Sequence, residues 1–96
     1  MKNTIDISDY GTVIVSISTA DKIAQECINC LSNNDSITIN FDGLISITSQ
    51  CANAIISKIY NYIGKDITQR VFFKVTNDNI NFILTDAMQY ALTAHS

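Results

Sequence analysis

Ile37-Thr38-Ile39-Asn40-Phe41-Asp42-Gly43-Leu44-Ile45-Ser46-Ile47-Thr48-Ser49-Gln50-Cys51-Ala52-Asn53 is the stretch whose reading decides the fold. Its opening, residues 36–41, alternates polar with β-branched or aromatic side chains, the period of a strand with one buried face, and Asp42-Gly43 supplies a turn to close it. Its end runs into Ala52, Ile55, Ile56, Ile59 and Ile63, which recur at helical spacing until Gly64 stops them. A strand that feeds a helix through a short connection is the repeating unit of α/β folds.

Upstream, residues 4–7 and 12–16 read as short strands. Ser8-Asp9-Tyr10-Gly11 between them suits a turn, so a hairpin is expected. Ser18-Thr19-Ala20-Asp21 offers a helix start, followed by Ala20, Ile23, Ala24, Cys27, Ile28 and Leu31 on one face. Ser32, Asn33, Asn34 and Asp35 then end it. Downstream, residues 70–75 read as a strand, and Asn77 or Asp78 caps a helix whose core stripe is Ile80, Ile83, Leu84, Ala87, Met88 and Ala91.

The order β-β-α-β-α-β-α implies an α/β domain with a mixed four-stranded sheet and helices packed against it. Ile39, Phe41, Ile55, Ile59, Val71 and Phe73 are the expected core. The connection at residues 42–50 should lie at the carboxyl edge of the sheet, where open α/β sheets place their sites.

With 96 residues, 47% hydrophobic and 16% charged, the chain has apolar material for one core, and a single domain over residues 1–96 is expected. A net charge of -3 provides no field to attract a phosphate backbone, so direct nucleic-acid binding is not expected. No apolar run is long enough for a bilayer, and Met1-Lys2-Asn3-Thr4-Ile5-Asp6 lacks the apolar stretch of a signal peptide. The expected location is the cytoplasm, with no membrane contact. Three cysteines, an odd number, then imply reduced thiols.

Against that background the catalytic patterns are weak. Cys27-Ile28-Asn29-Cys30 has the spacing of a redox or metal pair, but it falls late in the first helix, where the dipole disfavours a thiolate. A zinc site would need two more ligands, for which Cys51 and His95 remain, and His95 falls in the expected tail. With the single histidine there, a Ser-His or Cys-His pair lacks a base. Asp42 is within reach of pairing with Lys58 or Lys65 as ordinary surface charge, and Gly11, Gly43 and Gly64 are isolated turn glycines. A non-enzymatic protein without metal or cofactor is the expectation.

Residues 37–53 also resemble the STAS-like domain family of unknown function, which is similar to the sulfate-transporter and anti-sigma-factor-antagonist domains, and a bacterial protein is expected. In those, an apolar strand runs into an aspartate, a Gly-Val pair, an isoleucine and serines that open a helix. The resemblance spans residues 12–90, with its specific part at residues 37–56, and implies the same element order. It places the antagonists' phosphoserine on Ser49. Asn40 stands where an aspartate is common, Thr48 where antagonists have the aspartate before that serine, and Cys51 where they have glycine.

The function so implied is a regulatory protein-interaction module that docks a histidine-kinase-like ATPase or anti-sigma-type regulator. Asp42, Gly43, Ile45, Ser46, Thr48, Ser49 and Gln50 would form the contact, and Ser49 is the candidate for phosphorylation. Physics permits that switch, since a phosphate at a helix amino end meets unpaired N–H groups and the positive end of the dipole. The plainer reading is that Thr48 or Ser49 caps the helix. Two other functions fit: a nucleotide or small-anion sensor at the same helix end, and a small binding or inhibitory protein of a mobile element.

Overall fold

The alternation in residues 36–41 becomes β3 (Ile37–Asn40). In the computed structural model, which describes residues 3–94, β3 is the middle strand of a three-stranded sheet. It lies between β1 (Thr4–Asp6) and β5 (Val71–Lys74). Both pairings are parallel, with Ile5 beside Ile39 and Ile39 beside Phe73. Ile5, Ile37, Ile39 and Val71 are buried on the inner face, while Thr4, Asp6, Thr38, Asn40, Phe72 and Lys74 on the other face keep contact with water. Of the six expected core residues, Phe73 alone is only partly buried. It sits on the edge strand and packs edge to face on buried Phe41, with ring centroids 5.8 Å apart.

Three long helices complete the core: α1 (Ile17–Leu31), α2 (Ser49–Ile63) and α4 (Asp78–Ala94). The central one is α2, which packs against both α1 and α4. Ile55, Ile56 and Ile59 on α2 are essentially withdrawn from water, each worth about 1.5–3 kcal/mol of transfer free energy. Asn77 caps α4 by accepting from the Ile80 N–H at 3.0 Å. Gly64 ends α2 at a φ of 65°, a left-handed conformation that side chains disfavour. The start of α1 is earlier than expected, because Ser16 rather than the Ser18–Thr19 pair is the cap, its hydroxyl accepting from Thr19 N–H at 3.4 Å.

Four expectations are corrected. Residues 8–11 do not make a hairpin: Ile7–Tyr10 form a 3-10 turn, anchored by fully buried Ile7 and left through Gly11 at a φ of 134°. The chain therefore leaves β1 in a new direction, and β2 (Val13–Ile14) never folds back on it. Instead β2 pairs in parallel with β4 (Ser46–Ile47), a strand inside the stretch expected to be loop. The single mixed four-stranded sheet is thus replaced by a parallel three-stranded sheet and a separate parallel two-stranded one. Arg70, expected in the last strand, instead ends a four-residue helix α3 (Ile67–Arg70) that follows a 3-10 turn over Gly64–Asp66.

Candidate functional site

The carboxyl ends of the three parallel strands bring Asp6, Asn40 and Lys74 into one row. The Asn40 amide donates to Asp6 Oδ1 at 2.9 Å, and its oxygen accepts from the Asp42 backbone N–H at 3.0 Å. An aspartate at position 40 could not donate and would face Asp6 as a like charge, so the amide suits this neighbourhood. Asp42 turns toward β5: Thr76 donates to its Oδ1 at 3.0 Å, and the Lys74 ammonium lies 3.9 Å from its Oδ2. This differs from the expected pairing with Lys58 or Lys65; Lys58 instead lies 4.0 Å from Asp21. The polar groups at the sheet end satisfy one another, which makes the cluster a lock on the turn after β3.

From that lock the chain turns through Gly43 at a φ of 92°. A side-chain Cβ there would come 3.6 Å from Ser8 Cβ on the 3-10 turn. Leu44 is buried, its N–H donating to Phe41 O at 3.1 Å. Then Ile45 N–H donates to Thr12 O at 2.7 Å, which fixes the backbone against β2 while the Ile45 side chain remains 68% exposed. Ile47 is buried beside Ile14, and Ser46 points outward with Val13.

Thr48 begins α2. Its hydroxyl accepts from Cys51 N–H at 3.2 Å, and its own N–H donates to Ile14 O at 3.1 Å. The cap is therefore Thr48, and Ser49, the first helical residue, is exposed beside it with Gln50. A threonine hydroxyl performs here the capping that an aspartate carboxylate would perform without adding charge.

The seven expected contact residues thus divide. Asp42, Gly43 and Thr48 build and fix the connection; Ile45, Ser46, Ser49 and Gln50 are on its surface. Sequence reading missed their neighbours. Val13, Val15 and Ile17 are exposed around β2, and an open groove of about 490 Å³ runs beside the start of α2, lined by Ile17, Gln50, Asn53, Ala54, Ser57 and Tyr90. One signal in the sequence marks this region: residues 11–20 and 43–57 contain no charged side chain.

Cys27 and Cys30 lie on α1, and Cys51 lies in the first turn of α2. Cys27 and Cys51 are buried and Cys30 partly so, all as free thiols. Burial, then the nearby Glu26 carboxylate, pushes the Cys27 thiol up to about 12, so it is protonated at neutral pH. Burial and a hydrogen bond to Glu26 push the Tyr10 phenol to about 12 as well. Among the described residues, no cluster of His, Cys, Asp and Glu is arranged to hold a metal, and no helix is long and apolar enough to cross a membrane. His95 lies outside the described residues.

A family model described as a STAS-like domain of unknown function matches residues 19–81, about two-thirds of the chain. The match takes in β3, the locked turn, β4 and the whole of α2, and leaves β1 and β2 outside. No curated protein and no solved structure matches.

Proposed function

Because the chain belongs to the STAS-like domain family of unknown function, we propose that it is a non-catalytic regulatory module that docks a partner protein through the connection after β3 and the first turn of α2. Ile45 carries the reading. Its backbone is tied to β2 while its neighbour Leu44 is buried, so this large apolar side chain is held out in water rather than free to fold back. A partner that covers it gains the apolar area at little ordering cost, because the loop is already fixed. Ser46, Ser49 and Gln50, exposed on the same connection and helix start, are uncharged polar residues of the kind that form a rim.

The resemblance of residues 37–53 to anti-sigma-factor antagonists supports a histidine-kinase-like ATPase or anti-sigma-type regulator in the cytoplasm as the partner. Ser49 suits a switch in such a contact: its hydroxyl is exposed, and the capping role is filled by Thr48. A phosphate there would place about -1.5 to -2 charges in a neutral surface that must lose water when the partner binds. Phosphorylation would then release the partner.

Capture from the native cell by the wild-type protein, by Ile45→Ser and by Ser49→Asp tests the reading. An ATPase-type protein retained by the wild type and lost from both variants, with their melting temperatures unchanged, supports it. Equal retention by all three refutes it. The groove beside Gln50 favours a second reading, since its volume falls in the range of small-molecule pockets. Nucleotide at a hundredfold excess over its Kd would stabilise such a sensor by about 2.7 kcal/mol and raise its melting temperature.

A further inference from the structure

The groove on α2 is lined by a row of polar side chains that the fold itself does not use. Gln50, Asn53 and Ser57 recur at helical spacing, so they share one face of α2 and cover about 10 Å of its length. Ile17 of α1 and Tyr90 of α4 line the groove from the two helices that pack against α2. Asn53 and Ser57 are half-buried there, and among the described residues none of the three polar side chains hydrogen-bonds to the protein. Asparagine and serine in a helix interior weaken it, because both compete for its backbone groups. Positions 53 and 57 form neither a cap nor a turn of α2, and residues that break a local rule without structural gain mark functional sites.

We propose that this groove binds an adenine-type nucleoside, its base read by the amides of Gln50 and Asn53 and stacked on the Tyr90 ring. A carboxamide carries a donor and an acceptor side by side, the pair that matches the edge of adenine. An aromatic side chain offers the base a face, a contact worth about 1–3 kcal/mol. The Ser57 hydroxyl, one turn beyond Asn53, suits the ribose hydroxyls. The groove volume of about 490 Å³ accommodates a base with its sugar.

A nucleoside here rests on the second reading above, and adds which part of a nucleotide is recognised. No charged residue lines the groove, so a phosphate would meet no cation in it. Lys58, next to Ser57, lies 4.0 Å from Asp21 instead. A polynucleotide is disfavoured by the net charge of -3. An apolar side chain from a partner protein would cover the Asn53 amide and the Ser57 hydroxyl without satisfying them, a loss that a base with its own donors and acceptors avoids. Asn53, Ser57 and Tyr90 stand outside the residues proposed for docking, and Ile45 does not line the groove.

Calorimetric titration of the purified chain with adenosine, AMP and ATP, each up to about 5 mM, tests the assignment. Adenosine should bind with a Kd below about 1 mM, and AMP and ATP should bind no more than about threefold tighter. Asn53→Leu and Tyr90→Leu should each weaken adenosine by about tenfold or more, at a melting temperature no lower than that of the wild type. Tyr90→Phe should keep the affinity, and Ile45→Ser should bind as the wild type does. In the unaltered protein, adenosine should shift the side-chain amide resonances of Gln50 and Asn53, a check that needs no variant. ATP bound about tenfold tighter than adenosine would overturn the base reading and leave an anion-led site, so the second reading would survive. Binding by none of the three would overturn both. Adenosine held equally by Asn53→Leu or Tyr90→Leu, or amide resonances that stay unmoved, would overturn the site.

Discussion

Thr48 and Ser49 are adjacent serine-type residues with different physical roles. The Thr48 hydroxyl satisfies the Cys51 N–H, one of the donors a helix start leaves unpaired, whereas the Ser49 hydroxyl faces water. Thr48→Val should therefore lose about 0.5–2 kcal/mol in urea unfolding, and Ser49→Ala only a few tenths; the reverse ranking would mean that Ser49 is the cap. Cys27 gives a test in pH. Its thiol stays protonated until about pH 12 in the folded chain, while in the unfolded chain it ionises from about pH 9. Between those values the unfolded state binds fewer protons, so the contribution of Cys27 to stability is complete below pH 9 and falls as pH rises toward 12. Tyr10, raised from 10.0 to about 12, acts in the same direction. Cys27→Ala should show a shallower alkaline decline of the urea midpoint than the wild type, and curves of equal slope would contradict the assignment.

Among the elements, the short helix α3 has a role that its length conceals. It delivers Arg70 to the end of α1, where Nε donates to Asp35 O at 2.7 Å and Nη2 to Leu31 O at 3.0 Å and Asn34 O at 3.1 Å. A cation at a helix carboxyl end satisfies orphan carbonyls and the negative end of the dipole. Arg70→Ala should cost about 1.5–3 kcal/mol in thermal or urea unfolding, and Arg70→Lys should recover only part of it, since one ammonium cannot span three carbonyls. A neutral Arg70→Ala would show the contacts to be incidental. Local pattern made the long elements legible: the stripe from Ala20 to Leu31, the alternation of residues 36–41 and the stop at Gly64 all correspond to structure. The pairing of β2 with β4 was not legible, because two parallel strands of two residues each, more than thirty positions apart, leave no local period. Likewise Ser8-Asp9-Tyr10-Gly11 fits a hairpin turn and a 3-10 turn equally well by composition, and the burial of Ile7 decides between them.

Across the whole molecule, charge is distributed unevenly. The sheet end carries Asp6, Asp42 and Lys74 in mutual contact or through Asn40, whereas β2, β4 and the starts of α1 and α2 carry none. Sequence reading pointed to residues 42–50 because they join a strand to a helix, and that junction is what the fold has there. It missed that the surface there is completed by Val13, Val15 and Ile17 from a distant segment, which only the fold brings alongside. The central claim is that the exposed side of this connection docks a protein. Ile45 tests it most directly, because a side chain 68% in water contributes little to folding, and Ile45→Ser should stay within about 0.5 kcal/mol of wild-type stability. Titration of whichever protein the wild type captures with wild type and Ile45→Ser should give at least a tenfold loss of affinity, about 1.4 kcal/mol, at an unchanged melting temperature. Equal affinity for the two proteins would contradict the account.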